Sequence, residues 1–207
     1  ATGFDEAQWL ATFEQTYKIE PMIEQHSAIM DEFDPEVKKI LAVDEWGTWY
    51  DPTPGSPGGW LQQQNSLRDG LIAAINLNIF HRHAQRVRMT SIAQMVNVLQ
   101  AMILTDGPKM VLTPTYHVME MYNVHQNATM LPVTVKTNDY ILGNQKLPAV
   151  SVSASKDTNG ITHISLVNID AHKMQDITIN VNGAKYTAVA GKVLSSKKLQ
   201  DYNSFDN

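Results

Sequence analysis

The chain has 207 residues, 43 % of them hydrophobic and 18 % charged, which suits one large globular domain or a medium and a small one. A net charge of −5 and a pI near 5.8 argue against nucleic acid or an anionic membrane as the main partner, since both need a basic face. No apolar run approaches the roughly 20 residues of a transmembrane helix, and the absence of cysteine excludes disulfides and thiolate metal sites.

The first residues, Ala1-Thr-Gly-Phe-Asp-Glu6, carry no initiator Met or signal peptide and lead directly into a helical pattern. Residues 5–33 are helical in period, with Asp5 as cap and Trp9, Leu10, Phe13, Tyr17, Ile23, Ile29 and Met30 as inward positions. Pro21 divides this stretch, because proline is tolerated in a first turn and not in a helix interior. Asp34-Pro35 ends the second segment, and residues 37–43 read as a strand. Its run Ile40-Leu-Ala-Val43 does not alternate, which predicts burial on both faces.

Residues 51–59 contain three prolines and three glycines and form a loop just beyond that strand. Residues 66–82 fit an amphipathic helix with a wide apolar stripe, closed by His81, Arg82 and His83 at its negative end. Residues 87–93 read as a second strand and residues 94–97 as the turn leaving it. Thr113-Pro-Thr115 caps a helix from Tyr116 to about Gln126. Helices alternating with strands in this way predict a parallel sheet flanked by helices. Beyond Leu131 the texture changes to short β-rich runs at residues 133–137, 150–155, 161–168, 177–181 and 186–193. Asn144, Asp157-Thr-Asn-Gly160 and Asn182-Gly183 separate them, the pattern of an antiparallel β-sandwich. We place the boundary between residues 130 and 131. Two strands cannot close a barrel, and the chain ends in a polar turn, so we expect a fragment of a longer protein.

The chemistry concentrates in Val43-Asp-Glu-Trp-Gly-Thr-Trp-Tyr50. An acidic residue at the carboxyl end of a buried strand is where α/β enzymes place their chemistry. Strand alternation puts Asp44 and Glu45 on opposite faces, so only one enters a given cleft. Trp46, Trp49 and Tyr50 beside them suit a sugar, whose apolar ring face stacks on aromatics while its hydroxyls bond to carboxylates. A solvated strand end is the competing role for the acids, and core packing is the competing role for either tryptophan. Among the histidines, His81 and His83 are two apart, and His117 and His125 eight apart. None has a carboxylate at ligand spacing, so no metal is expected. The loop at residues 55–59 lacks the Lys-Ser/Thr of a phosphate loop. Asn127-Ala-Thr129 fits a glycosylation acceptor, a pattern common by chance. Met102, Met110, Met119, Met121 and Met130 read as core filler.

The stretch from Val43 to Tyr50 closely resembles the α-L-arabinofuranosidases of glycoside hydrolase family 51. Asn78-Ile-Phe-His-Arg-His-Ala84, Arg86 to Leu99, Ile103-Leu-Thr-Asp106 and Leu112-Thr-Pro-Thr-Tyr-His117 extend the match. The resemblance runs in order along most of the chain, in layout more than motif across the sandwich. It implies the last part of a (β/α)₈ TIM barrel followed by an antiparallel β-sandwich. It further implies that Glu45 is the nucleophile, that Gln94 binds the arabinofuranosyl ring, and that Trp49 and Trp46 line the sugar pocket. The reaction implied is double displacement with retention, with no cofactor and with the acid/base residue upstream of Ala1. The substrate would be an arabinose-containing oligo- or polysaccharide and the complete protein a homo-oligomer. Two rivals remain at this stage: a related barrel glycosidase acting on xylosides or β-glucans, and a non-catalytic sugar-binding module.

Overall fold

The computed structural model describes residues 2–57 and 59–206; Gly58, within the predicted proline- and glycine-rich loop, lies outside them. The chain begins with two helices, α1 (Glu6–Tyr17) and α2 (Ile19–Phe33), broken at Lys18 so that Pro21 falls in the first turn of α2. Asp5 and Gln8 cap α1 reciprocally. The Gln8 amide donates to Asp5 Oδ1 at 2.8 Å, and the Asp5 amide donates to Gln8 Oε1 at 3.0 Å. Trp9, Leu10 and Phe13 are buried, and Trp9 Nε1 donates to the Ile169 carbonyl at 3.0 Å. On α2 only Ile23 is buried; Ile29, expected inward, is exposed.

Strand β1 (Leu41–Trp46) runs parallel to β2 (Val87–Ile92), connected through α3 (Leu67–Arg82). This is the predicted βαβ unit. Arg86 secures its base. The guanidinium contacts Asp31 and Asp34 on the end of α2, and donates to the Lys39 carbonyl at 2.9 Å. Backbone amides, that of Lys39 foremost, and then Arg86 hold the Asp34 carboxyl below its usual range.

Two expectations need correction here. The strand begins at Leu41 rather than Val37, and it is not buried on both faces: Ile40, Ala42, Asp44 and Glu45 are exposed. Among the described residues β1 pairs only with β2, so its other edge and one face stay uncovered. By contrast α3, expected to be one-sided, is buried along nearly its whole length, polar Arg68, Asp69, Asn76 and Asn78 included. It packs against α1 and β2 and against the later elements Pro114–Tyr122, Val150–Lys156 and Thr162–Asn168. Gly70 makes one of these approaches possible, since a Cβ there would sit 3.1 Å from Pro114 Cβ.

A hairpin that the sequence reading missed, β3 (Ile103–Asp106) with β4 (Lys109–Leu112), follows β2. Its signal was Asp106-Gly107, with Gly107 at φ +55 in the two-residue loop. Helix α4 (Pro114–Tyr122) starts at the predicted cap, Thr113, and ends in a 3₁₀ turn, Asn123–His125. The antiparallel sheet then orders as β5 (Thr129–Leu131), β8 (Val150–Lys156) and β9 (Thr162–Asn168). Beside it stands a hairpin of β6 (Asp139–Leu142) and β7 (Gln145–Pro148). The predicted strands at residues 133–137, 177–181 and 186–193 are irregular instead. A strand needs a neighbour to take its backbone hydrogen bonds. Residues 177–193 have none among the described residues, and Val189 stands 94 % exposed. Met110 and Met130, expected in the core, are exposed as well. Among the described residues no helix is long and apolar enough to cross a membrane.

Sheet and helices meet through a polar joint. Ser151, Ser153 and Ser155 recur at every second residue of β8, on the face turned to the helices. Asn78 Nδ2 donates to Ser151 Oγ at 3.1 Å, and Ser153 Oγ donates to Asn78 Oδ1 at 2.7 Å. His81 Nδ1 lies 3.0 Å from Ser153 Oγ. His125 is held between Ser155 and Ser165, 2.7 Å from each. These histidines are therefore packing elements rather than metal ligands. Burial lowers His81 to about 4, and burial together with the nearby His81 and His163 lowers His125 to about 4.

Because both folded-state values lie below the ordinary 6.5, the unfolded chain binds more protons between pH 6.5 and 4. Stability present above pH 6.5 is therefore lost on acidification, at up to about 1.4 kcal/mol per pH unit for each proton taken up. Thermal unfolding followed from pH 7.5 to 4.5 should show this fall, and His125→Asn should flatten it. An equal slope in the variant would remove His125 from the account.

Candidate functional site

The carboxyl end of β1 opens onto a groove of about 900 Å³ between β1 and α1. Glu45, Trp46, Trp49 and Tyr50 line it, with Gln8, Thr12 and Arg68 among the residues opposite. Of the predicted site residues, Glu45 is exposed on the groove wall and Trp49 is 68 % exposed. Trp46 is only 6 % exposed and packs edge-on against Phe80 of α3 at 5.3 Å. It belongs to the core while bordering the groove, so the competing role named for it is the one its burial fits. Gln94 is exposed at the end of β2 and is not among the residues lining the groove. It stands next to the site through the backbone, since the amide of Ala93 donates to the Trp46 carbonyl at 2.8 Å.

Strict alternation does not hold at the two acids. Val43 pairs with Thr90 and Trp46 with Ile92, so β1 carries one extra residue across Asp44-Glu45. Leu41, Val43 and Trp46 all pack on the core, spaced two and then three apart. The bulge lets both carboxylates stay outside the core, and only Glu45 borders the groove.

Behind the groove lies a buried polar cluster that the sequence reading missed. Thr48 Oγ1 donates to Asp69 Oδ1 at 2.7 Å, and the Thr48 amide donates to Gln100 Oε1 at 2.9 Å. Gln63 Oε1 accepts from the Tyr50 amide at 2.8 Å. Ser66 donates to Asp69 Oδ2 through its amide and its hydroxyl, which anchors the start of α3. Gln63, Asp69 and Gln100 are essentially inaccessible to solvent. Burial pushes the Asp69 carboxyl up, against the hydrogen bonds from Ser66 and Thr48. Arg68, also buried, lies over the Phe4 ring at 3.8 Å and the Tyr50 ring at 4.2 Å. The one sequence feature nearby is the polar run Gln62-Gln-Gln-Asn65, which a linear reading takes for a solvated loop.

Among the described residues one group of side chains has metal-ligand spacing, Glu20, Glu24 and His83. Arg82 engages both Glu20 oxygens at 3.0 and 2.9 Å, and His83 lies 3.1 Å from one of them. The cluster is thus an ion-pair junction between α2 and the end of α3.

A βαβ unit with an acid and aromatics at its strand end, joined to an antiparallel sheet, is the arrangement of an α/β enzyme segment with an attached β-domain. Comparison with known proteins agrees. The family described as "Alpha-L-arabinofuranosidase C-terminal domain" matches residues 44–207. The chain is 45 % identical over its full length to an intracellular exo-α-L-arabinofuranosidase of Bacteroides ovatus, of which it covers 40 %. It is 25 % identical over 159 residues to α-L-arabinofuranosidase C of Emericella nidulans, spanning 72 % of this chain and 31 % of that protein. Among solved structures, the family 51 arabinofuranosidase of Xanthomonas axonopodis pv. citri superposes with a TM-score of 0.81 at 58 % identity, over 82 % of this chain and 34 % of its own. The chain belongs to the α-L-arabinofuranosidases of glycoside hydrolase family 51 and carries their carboxyl-terminal domain. It spans well under half the length of the relatives it matches.

Gly47, which follows Trp46, offers a local test. It has φ +136, and a Cβ there would meet Gln100 Oε1 at 3.1 Å and the Ala93 carbonyl at 3.3 Å. Gly47→Ala should therefore cost about 1–3 kcal/mol of stability, from a disfavoured backbone and a contact that backbone cannot yield. Urea unfolding of the variant checks it, and a loss below about 0.5 kcal/mol, within the range of an ordinary surface change, would contradict the packing described.

Proposed function

We propose that this chain supplies the nucleophile side of a retaining enzyme that removes terminal α-L-arabinofuranosyl residues from arabinan- or arabinoxylan-type glycans. In this reading residues 1–130 are the carboxyl-terminal part of the (β/α)₈ catalytic barrel, and residues 131–207 belong to the β-sandwich. Neither nucleic acid nor membrane is a partner, in keeping with the acidic charge. The complete enzyme forms a homo-oligomer, which light scattering on the full-length protein would test.

The observation that carries the proposal is the conjunction of Glu45, at a bulged strand end, with the exposed Trp49 on one groove wall, in a chain of this family. A Glu45 oxygen attacks the anomeric carbon as the bond to the leaving oxygen breaks. A second carboxylic acid, roughly 5–5.5 Å from Glu45, protonates that oxygen. The same residue then takes a proton from water, which attacks the anomeric carbon and releases Glu45 with the original anomeric configuration restored. Trp49 stacks on the apolar sugar face, Trp46 backs the wall under Glu45, and Gln94 hydrogen-bonds the ring from the neighbouring strand end.

The acid/base residue lies outside this chain in our reading. Asp51 is the other carboxylate bordering the groove, and it stands on an irregular loop rather than at a strand end.

In the full-length enzyme Glu45→Ala should abolish turnover of an aryl α-L-arabinofuranoside, with azide restoring part of it by replacing the missing nucleophile. Retained hydrolysis would leave a sugar-binding role, and preference for an aryl xyloside or glucoside would change the substrate class. The isolated 207-residue chain should show no useful turnover, since losing acid assistance alone costs about 10²–10⁴-fold. Activity of the isolated chain would place the acid within it, with Asp51 the first residue to test.

Gln94→Ala should lower kcat/KM by the equivalent of about 1–3 kcal/mol, the loss of a hydrogen bond that a bound sugar ring would bury. An unchanged kcat/KM would take Gln94 out of the site.

A further inference from the structure

Gln100 carries no catalytic role in the reading above, yet its side chain bonds the loop after Glu45 and its backbone amide bonds the residue before Gln94. Its amide has one acceptor oxygen and two donor hydrogens. The oxygen accepts from the Thr48 amide at 2.9 Å, three residues past Glu45. The nitrogen donates to the Asp69 carbonyl at 2.6 Å and to Thr115 Oγ1 at 3.1 Å. That network also fixes which end of the amide is which, because the Thr48 N–H can only donate and the Asp69 carbonyl can only accept. The backbone amide of Gln100 donates to the Ala93 carbonyl at 3.1 Å, directly before Gln94. Gln100 is fully buried, and the carbonyl oxygen of its side chain sits where a Cβ on Gly47 would intrude.

We infer that Gln100 is a positioning residue that holds the Glu45 strand end and the Gln94 turn at a fixed separation. The inference rests on the roles proposed above for Glu45 and Gln94. β1 and β2 pair only with each other among the described residues, and the bulge at Asp44-Glu45 removes regular ladder bonds where the nucleophile needs a fixed direction. The buried amide of Gln100 replaces them. No other side chain supplies one acceptor and two donors at this reach: glutamate keeps the acceptor and loses the donor pair, and methionine keeps the shape and loses all three bonds.

The test uses full-length enzyme with an aryl α-L-arabinofuranoside, together with hydrogen exchange across residues 46–50 and 93–100. Gln100→Met should lower kcat by about 10²-fold, the usual effect of displacing a reacting group by about an ångström, while KM stays nearly constant. Exchange at Thr48 should accelerate in the same variant. Gln100→Glu should show a smaller loss of kcat with the same constant KM, and it carries the test if the methionine variant does not fold. Unchanged kcat in a protein that Glu45→Ala inactivates would overturn the inference and leave the nucleophile assignment standing. Parallel changes in kcat and KM without faster exchange at Thr48 would also overturn it. Retained activity in Glu45→Ala would remove the catalytic reading on which it rests.

Discussion

Everything described here depends on α3 being buried on all sides. A helix in that position cannot leave a polar group facing water, so each polar side chain it carries must find a partner on whatever packs against it. At its amino end Asp69 is met by Ser66 and Thr48, and the Asp69 carbonyl by Gln100. Toward its carboxyl end Asn78 is met by Ser151, Ser153 and Tyr122. The first set of partners shapes the loop after Glu45, and the second docks the antiparallel sheet. One helix thus settles both the geometry of the groove and the placement of the sheet.

The two ends differ in chemistry for a physical reason. At the groove the partners are amides and hydroxyls that bond backbone, which fixes the chain in position and leaves the Glu45 carboxylate free to react. At the sheet joint the partners are serines and histidines, and burial keeps His81 and His125 uncharged at neutral pH. Burial there disfavours a charged imidazole, and for that reason the joint is expected to weaken with acid.

Legibility in the sequence followed from whether a feature is local. The βαβ unit, the caps at Asp5 and Thr113, the break near Pro21 and the β8–β9 turn at residues 157–160 all follow from periodicity and turn chemistry. The hairpin at residues 103–112 was equally local, and its Asp106-Gly107 signal was overlooked. Other expectations failed because they depended on neighbours. Residues 177–181 and 186–193 have strand-like composition, but a strand forms only beside a partner, and among the described residues none takes their backbone hydrogen bonds in a ladder. The run from Ile40 to Val43 is apolar enough for a buried strand and lies half uncovered for the same reason.

The sequence by itself determined the family, the strand end bearing Asp44 and Glu45, the neighbouring tryptophans and the residue types of every later hydrogen bond. Alternation alone did not say which carboxylate borders the groove, and only the resemblance pointed to Glu45; the bulge, set by pairing with β2, breaks that alternation. Nor could the sequence assign Trp46 to the core and Trp49 to solvent, since the two indoles differ only in what packs against them. Gln63, Asp69 and Gln100 look like surface residues in a linear reading. Only the tertiary structure buries them, because burial depends on how α3, β2 and the loop after β1 close over one another.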